Sequence, residues 1–430
     1  MKNKYFFSII LLILNLSGFS QSFLDGILVL NEGNFGSNAA SVSFINGSNQ
    51  VTNNIFGSAN NNASLGDVGQ SMAIHDDKAY IVLNGSNTIK VVNYETFELI
   101  ATINIGVTFP RHMAFHNNKA YVTCWGDGYD PSDDYLAVIN LTTNLVESTI
   151  PMAEGVETIE VVNSKLYVAH TGGYGYGTTV SVIDIPSYTI SSITVGDLPN
   201  SMIVNGNYLY VLCNGMPSWS GQPETPGRIV KIDLSNNSIV QNLPFAGITH
   251  PRHLIADATN LYYTVGDYIY KMPFTDVVLP ANHFIDTPVV ADEYSGIYGL
   301  NLIDNKIYVA DANGYAAQGY AHVYNNAGVL LNTYTLGNIP NHFYKSKESS
   351  LGNDDNTLGT FTVYPNPAVS TVFITTDKNT EVTLYDMTGK MVKKESYTLS
   401  GIDVSNLQKG IYLMEINSDN QKQVVKLAVK

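Results

Sequence analysis

Three histidines in one register are the first chemistry this chain offers. His112 follows Arg111, His253 follows Arg252 and His342 follows Asn341, each near the start of a short apolar run. Imidazoles converging from three strands could hold a metal ion, although hydrogen-bonded structural histidines fit the same pattern. Glu157 stands in another run at the place that Arg111 holds, with His170 further along, and such an acid and base could move protons. The loop carrying Asp127, Asp130, Asp133 and Asp134 contains Gly and Pro and is the weak candidate for calcium. Its spacing is not that of a helix-loop-helix site, and a solvated acidic loop is the competing reading. No G-x-S-x-G elbow, H-E-x-x-H pair or phosphate-cradling G-x-x-x-x-G-K is present. A non-enzymatic role therefore ranks above a lactonase or lyase built on Glu157, His112 and His253, and no cofactor is firmly expected.

Binding chemistry is better represented. Gln70, Asn200, Tyr298 and Asn341 occupy the same leading position as Arg111, Glu157 and Arg252. A second group is aromatic: Trp125, Tyr129, Tyr174, Tyr176, Trp219, Tyr315 and Tyr320 fall in variable stretches rich in Gly. Rigid aromatics around a polar centre suit a large planar or cyclic ligand, or a sugar.

The elements that must position these residues are set by an internal repeat. Six windows align: Gly69 to Val82, Pro110 to Thr123, Val156 to Ala169, Pro199 to Leu212, Pro251 to Thr264 and Ile297 to Ala310. Each has an apolar fourth residue and Tyr at the twelfth, with a polar turn between two apolar runs, which reads as strand, tight turn, strand. An alternating third strand and a fourth follow each window. Four strands at a period of 41 to 52 residues between the tyrosines are what propeller blades require. Residues 26 to 56 supply three strands without a first, and Pro340 to Lys345 matches the opening of a window. The fold class is therefore all-β: a seven-bladed β-propeller closed by N- and C-terminal strands, plus a small C-terminal β-sandwich. In a propeller the leading residues of the first strands share a face with the loops between second and third strands, so the two groups of candidate residues converge.

The ends and the charge set the compartment. Residues 1–20 read as a signal peptide: Lys2 and Lys4, an apolar run from Phe6 to Leu16, then Gly18 and Ser20. The run is short for a bilayer span, and no Cys follows it to carry a lipid anchor. The formal net charge is -15, and residues 21–360 hold 12 basic against 30 acidic residues. That excludes nucleic acid as a partner, which needs a basic stripe. Cys124 and Cys213 read as buried free thiols. The domains are expected at 21–345 for the propeller, 346–360 for a linker and 361–430 for the sandwich, and the protein is expected to be a monomer.

The stretch Val180 to Val195 resembles the repeat of YVTN-type surface propellers. The opening from Val29 to Phe35 (VLNEGNF), with Gly66-Asp67 and Gln70-Ser-Met72, is similar to DUF5074-like cell-surface propellers of Bacteroidetes, a group related to corrinoid-capturing surface propellers. Tyr364-Pro-Asn-Pro367, Leu384 to Lys390 (LYDMTGK), Asp403 to Leu407 (DVSNL) and Lys409 to Leu413 (KGIYL) resemble the type A sorting domain of type IX secretion. These resemblances imply export across the outer membrane by the type IX machinery, a cell-surface or released location, and capture of a corrinoid or another large ligand beside a TonB-dependent outer-membrane transporter. Adhesion to glycans is the alternative.

Overall fold

The computed structural model describes residues 21–173, 175–291, 296–315, 317–349, 363–374, 380–398, 400–418 and 421–430. The leader at 1–20 and residues 350–360 of the linker lie outside the described residues. The described residues fall into two compact units divided between Glu348 and Ser349.

In the first unit each window forms a hairpin, and five of the six tips use left-handed backbone. Asn163 and Ser164 (φ 49 and 59°) and Asp304 and Asn305 (φ 49 and 59°) turn tightly there, as two-residue hairpins require and as Asn and Asp tolerate best. Seven antiparallel four-stranded sheets result. The first blade joins Pro340–Lys345 to Ile27–Asn31, Ser41–Ile45 and Val51–Thr52. The second to seventh blades have first strands Gly69–His75, Pro110–His116, Val156–Val162, Pro199–Asn205, Arg252–Ala256 and Gly299–Ile303. Each first strand contacts the first strands of the two neighbouring blades, and the seven form a closed ring.

The core is divided among the blade junctions. Seven buried apolar clusters each join one blade to the next. The repeated tyrosines Tyr80, Tyr121, Tyr167, Tyr210, Tyr262 and Tyr308 are all buried in them. Cys124 and Cys213 are buried and unpaired, and burial pushes both thiols up to about 12. They are packing residues rather than nucleophiles.

Closure depends on the strand Pro340–Lys345, which pairs with Ile27–Asn31 in the register Val29↔Phe343 and Leu28↔Tyr344. Phe343 is buried in the junction with the seventh blade, tilted against Tyr308 at 5.4 Å between ring centroids. On the other side, the Met72 amide donates to the Tyr344 hydroxyl at 2.8 Å, tying the closing strand to the second blade.

The second unit packs a three-stranded sheet (Val363–Tyr364, Thr371–Ile374, Ile402–Asp403) against a four-stranded one (Met391–Ser396, Thr380–Asp386, Gly410–Ser418, Gln421–Val429). One apolar cluster with Val372, Ile402, Leu384 and Met414 fills the sandwich.

Replacing the ring-closing aromatic should loosen the junction of the first and seventh blades. Phe343→Ala is expected to cost about 3–5 kcal/mol, the range for emptying a buried aromatic site, as read by urea denaturation. An unchanged midpoint would mean that closure does not rest on this strand.

Candidate functional site

Six of the seven first strands begin with a bulge. Their pairing with the neighbouring strand skips Gln70, Arg111 with His112, Glu157 with Thr158, Asn200, His253 and Asn341. A bulge bends the strand and frees the skipped residue from the pleat, so its side chain can be aimed elsewhere. At His253 the backbone takes φ 51° to do so. Thus most of the polar residues that lead the repeats are freed from the pleat; Arg252, paired with Thr264, and Tyr298, ahead of the unbulged strand of the seventh blade, are not.

Arg111 is the hub of that mouth. Its Nε and Nη2 donate to Glu157 Oε2 and Oε1 at 2.9 and 2.8 Å, and its Nη1 donates to Gln70 Oε1 at 2.5 Å. The guanidinium lies 3.9 Å from the Trp125 ring centre, and the Trp125 indole N–H donates to the Val156 carbonyl at 2.8 Å. Burial alone would raise the Glu157 carboxyl, but the Arg111 charge, with hydrogen bonds from His112 and Arg111, brings it down to about 2. Glu157 is therefore a fixed anion whose two oxygens are both occupied, unsuited to donate or take a proton at neutral pH.

Beside this hub, off the axis, lies a cavity of about 440 Å³. Trp125 and Arg111 come from the third blade, Tyr176 and Glu157 from the fourth, Trp219 and Asn200 from the fifth, and Arg252 from the sixth. Glycines form one wall. A Cβ on Gly172 (φ 96°) would meet the Gly175 carbonyl oxygen at 2.4 Å, so only glycine lets this loop fold so closely. The Tyr176 hydroxyl donates to the Ser220 carbonyl at 3.1 Å, which ties the loop of the fourth blade to that of the fifth. Trp219 remains 60% exposed, a platform open to solvent.

The three register-matched histidines line a second space, the axial channel, of about 330 Å³. His112 and His342 are 6.2 Å apart between ring centres, and His253 Nε2 is hydrogen-bonded to the Ile297 carbonyl at 2.9 Å. Burial lowers His253 to about 4 and His342 to about 3, the latter with help from the neighbouring His112 and His253. Among the described residues no group of three or more His, Cys, Asp or Glu is placed to hold a metal ion. Deeper in the channel Glu160, whose carboxyl burial pushes up to about 7, is an acid that the repeat pattern marks only as one more strand residue.

Other expected residues do not reach the cavity. His170 is buried inside its blade, with Nδ1 at 2.9 Å from the Glu154 carbonyl and Nε2 at 2.7 Å from Ser181 Oγ; it braces the blade. Tyr298 donates to Glu32 Oε2 at 2.7 Å and meets Tyr315 edge-on at 5.5 Å. Asn34 Nδ2 donates to the Tyr315 carbonyl at 2.8 Å, so the first and seventh blades fasten their loops to each other. Asn341 Nδ2 donates to the Gly69 carbonyl at 2.7 Å and bridges the first and second blades. Tyr320 sits in the strand Gln318–Asn325 near His322, and Tyr129 is 78% exposed on the acidic loop. Tyr174 lies outside the described residues.

That acidic loop is folded on itself. Asp133 Oδ2 accepts the Asp127 amide at 2.8 Å, and Asp130 Oδ1 accepts the amide and hydroxyl of Ser132 at 2.9 and 2.6 Å. Asp134 turns inward to accept the Gly155 and Val156 amides at 2.6 and 3.1 Å, and burial raises it to about 6. The carboxylates of Asp130, Asp133 and Asp134 thus serve as caps, which is the bland alternative to calcium.

One cavity neighbour, His250, has no counterpart among the residues that the repeat singles out, because it lies just outside the window. It bridges the Asn214 carbonyl (2.9 Å) and Glu224 Oε1 (3.1 Å). The residue before each window's opening carries no periodic signal, so only its nearness to Arg252 could have marked it.

With this geometry the relatives can be placed. Residues 25–336 match the family described as a domain of unknown function, DUF5074, and residues 362–430 match the secretion system C-terminal sorting domain. A seven-bladed beta-propeller protein of Mycobacterium tuberculosis is 33% identical over 120 residues, covering 26% of this chain and 29% of that protein. The chain thus matches under a third of that relative's length. Among solved structures, a quinonprotein alcohol dehydrogenase-like protein of Bacteroides thetaiotaomicron superposes with a TM-score of 0.55 at 14% identity, over 75% of this chain and 78% of that one. A candidate 6-phosphogluconolactonase of Bacteroides fragilis does so with 0.54 at 10% identity, over 74% and 98%. At such identities the likeness is one of fold alone.

Glu157→Gln leaves Arg111 buried without its anion and is expected to cost about 3 kcal/mol at pH 7, whereas the double change Arg111→Met with Glu157→Leu should cost less than the two single changes summed. Because folding holds the Glu157 carboxyl at about 2 against an ordinary 4.5, its contribution is complete above pH 4.5 and fades as pH falls through 2. Denaturant midpoints of wild type and Glu157→Gln should therefore converge in acid; equal midpoints at pH 7 would contradict the hub.

Proposed function

The chain belongs to the DUF5074 family, and from that premise we propose that it is an exported, non-catalytic propeller that binds a ring-shaped ligand in the off-axis cavity between its third and sixth blades. The C-terminal sorting domain directs it through type IX secretion to the cell surface or the extracellular space. The observation that carries the binding reading is that both tryptophans of the chain, Trp125 and Trp219, line one cavity with Tyr176. Aromatic anchors gathered around a few polar groups are how ligand pockets combine affinity with orientation.

The size of the cavity suits one or two rings. A corrinoid would enter by one edge, with its bulk over the exposed Trp219 and Tyr129, and a surface propeller holding it would pass it to a TonB-dependent transporter. A glycan would enter as the end or a bend of its chain, which suits adhesion. Both readings use the same wall of aromatics, and both take the protein as a monomer.

One observation favours a catalytic alternative. Glu160, poised near neutrality and sharing the channel with three histidines, is the kind of group that acid-base chemistry uses. It lines the channel and not the aromatic cavity, so a ligand seated on the tryptophans lies outside that chemistry.

A thermal-shift screen of the purified protein against cobalamin, haem, calcium and a glycan set tests the proposal, since a ligand that binds only the folded state raises Tm. At a hundredfold excess over Kd the gain is about 2.7 kcal/mol. The expected result is a shift with cobalamin or with a glycan, lost in Trp219→Ala and kept in Glu160→Gln, with the ligand recovered intact. Conversion of the ligand that disappears in Glu160→Gln would establish the catalytic alternative instead.

A further inference from the structure

Resting on the cavity being the ligand site, we infer that its ligand is an acidic sugar ring: the ring face lies on the aromatic wall and its carboxylate pairs with Arg252. The charges of the lining lead to this ligand. Arg111 is neutralised within the protein by the bidentate Glu157 pair. His250 is held by Glu224 on one side of its ring and by a backbone carbonyl on the other. Arg252 differs from both. Among the described residues its guanidinium makes no hydrogen bond or ion pair, and it faces the same cavity. The lining therefore carries one uncompensated positive charge, in a stretch of chain with 30 acidic residues against 12 basic. A lone arginine at the wall of an aromatic pocket matches a single carboxylate, whose two oxygens fit the guanidinium fork.

The rest of the lining selects a hydroxylated ring. The indole of Trp219 and the phenol ring of Tyr176 offer apolar faces of the kind that carry a ring's C–H surface; beside them Asn200 Nδ2 donates to Asn214 Oδ1, which leaves the buried Asn200 Oδ1 without a partner among the described residues, an acceptor for a ring hydroxyl. The glycine wall at Gly172, Gly173 and Gly175 leaves room for ring substituents. A flat hydrocarbon would leave Asn200 Oδ1 unanswered, and a neutral sugar would leave Arg252 unanswered. A uronic acid unit, such as the end residue of an acidic polysaccharide, answers both.

The chain's own tryptophans report on this site, because both of them line it. The experiment titrates the full protein with trimers of galacturonic, glucuronic and mannuronic acid, each beside its fully methyl-esterified form, and follows intrinsic tryptophan fluorescence. The expected result is that at least one acid binds tenfold or more tighter than its ester, with the preference shrinking in added salt. Arg252→Gln should bring acid and ester to equal affinity, and Arg252→Lys should keep part of the preference. Equal binding of acid and ester to the wild type would overturn the acidic ligand and leave the cavity as a sugar site. An acid preference that survives Arg252→Gln would overturn the role of that residue. No fluorescence change with any trimer would overturn the inference, and if the thermal screen were also silent toward every ligand, the binding reading would fall with it.

Discussion

The bulge that opens six of the seven first strands is the constraint from which the candidate site follows. In a regular antiparallel strand, side chains alternate between the two faces of the sheet, and in a propeller both faces are buried against neighbouring blades. A polar residue such as Arg111 or Glu157 would then be forced into an apolar junction. Skipping one or two residues at the start of the strand frees them from that alternation. Six bulged strands in a ring of seven free such side chains, and residues far apart in the chain, such as Gln70 and Glu157, meet on one guanidinium. Ring closure by Pro340–Lys345 is what keeps those bearings fixed.

The mouth so formed is not symmetrical, and its asymmetry separates scaffold from site. On the side of the seventh and first blades the polar residues satisfy one another: Tyr298 with Glu32, Asn34 with the Tyr315 carbonyl, Asn341 with the Gly69 carbonyl. Such pairs fasten the loops to one another. Toward the third to sixth blades a cavity opens, lined by Trp125, Tyr176 and Trp219 together with glycines. Arg111 belongs to both sides. Its charge is consumed by Glu157, yet its flat guanidinium stacks on Trp125 and so fixes one wall of the cavity.

Much of the fold was legible because its physics is periodic. The apolar fourth residue and the twelfth tyrosine of each window mark inward positions of two paired strands, and the tyrosines are buried between blades. The orphan segment at Pro340 announced the closing strand by matching a window's opening. The face that carries the site was legible too, since leading residues and second-to-third loops must share an end. Which residues would pair off was not legible. Arg111 meets Glu157 only because two neighbouring blades both carry a bulge at that point, a relation between repeats that no single window contains. His170 misled for a related reason: as the last residue of Lys165–His170 it reads like a loop residue, but the alternation continues through it and points it inward. The His triad shared a register, yet one register in a ring places side chains around a channel without bringing their nitrogens to a common point.

On the proposed reading, this exported protein with a tail for type IX secretion holds a ligand in its aromatic cavity outside the cell and leaves it unchanged. Isothermal titration calorimetry of the purified protein with the best ligand of the screen, followed by mass spectrometry of the recovered ligand, tests that claim most directly. One site per chain, loss of the heat signal in Trp219→Ala, and a ligand of unaltered mass are the expected results. Several weak sites per chain, or a ligand returned cleaved, would contradict it.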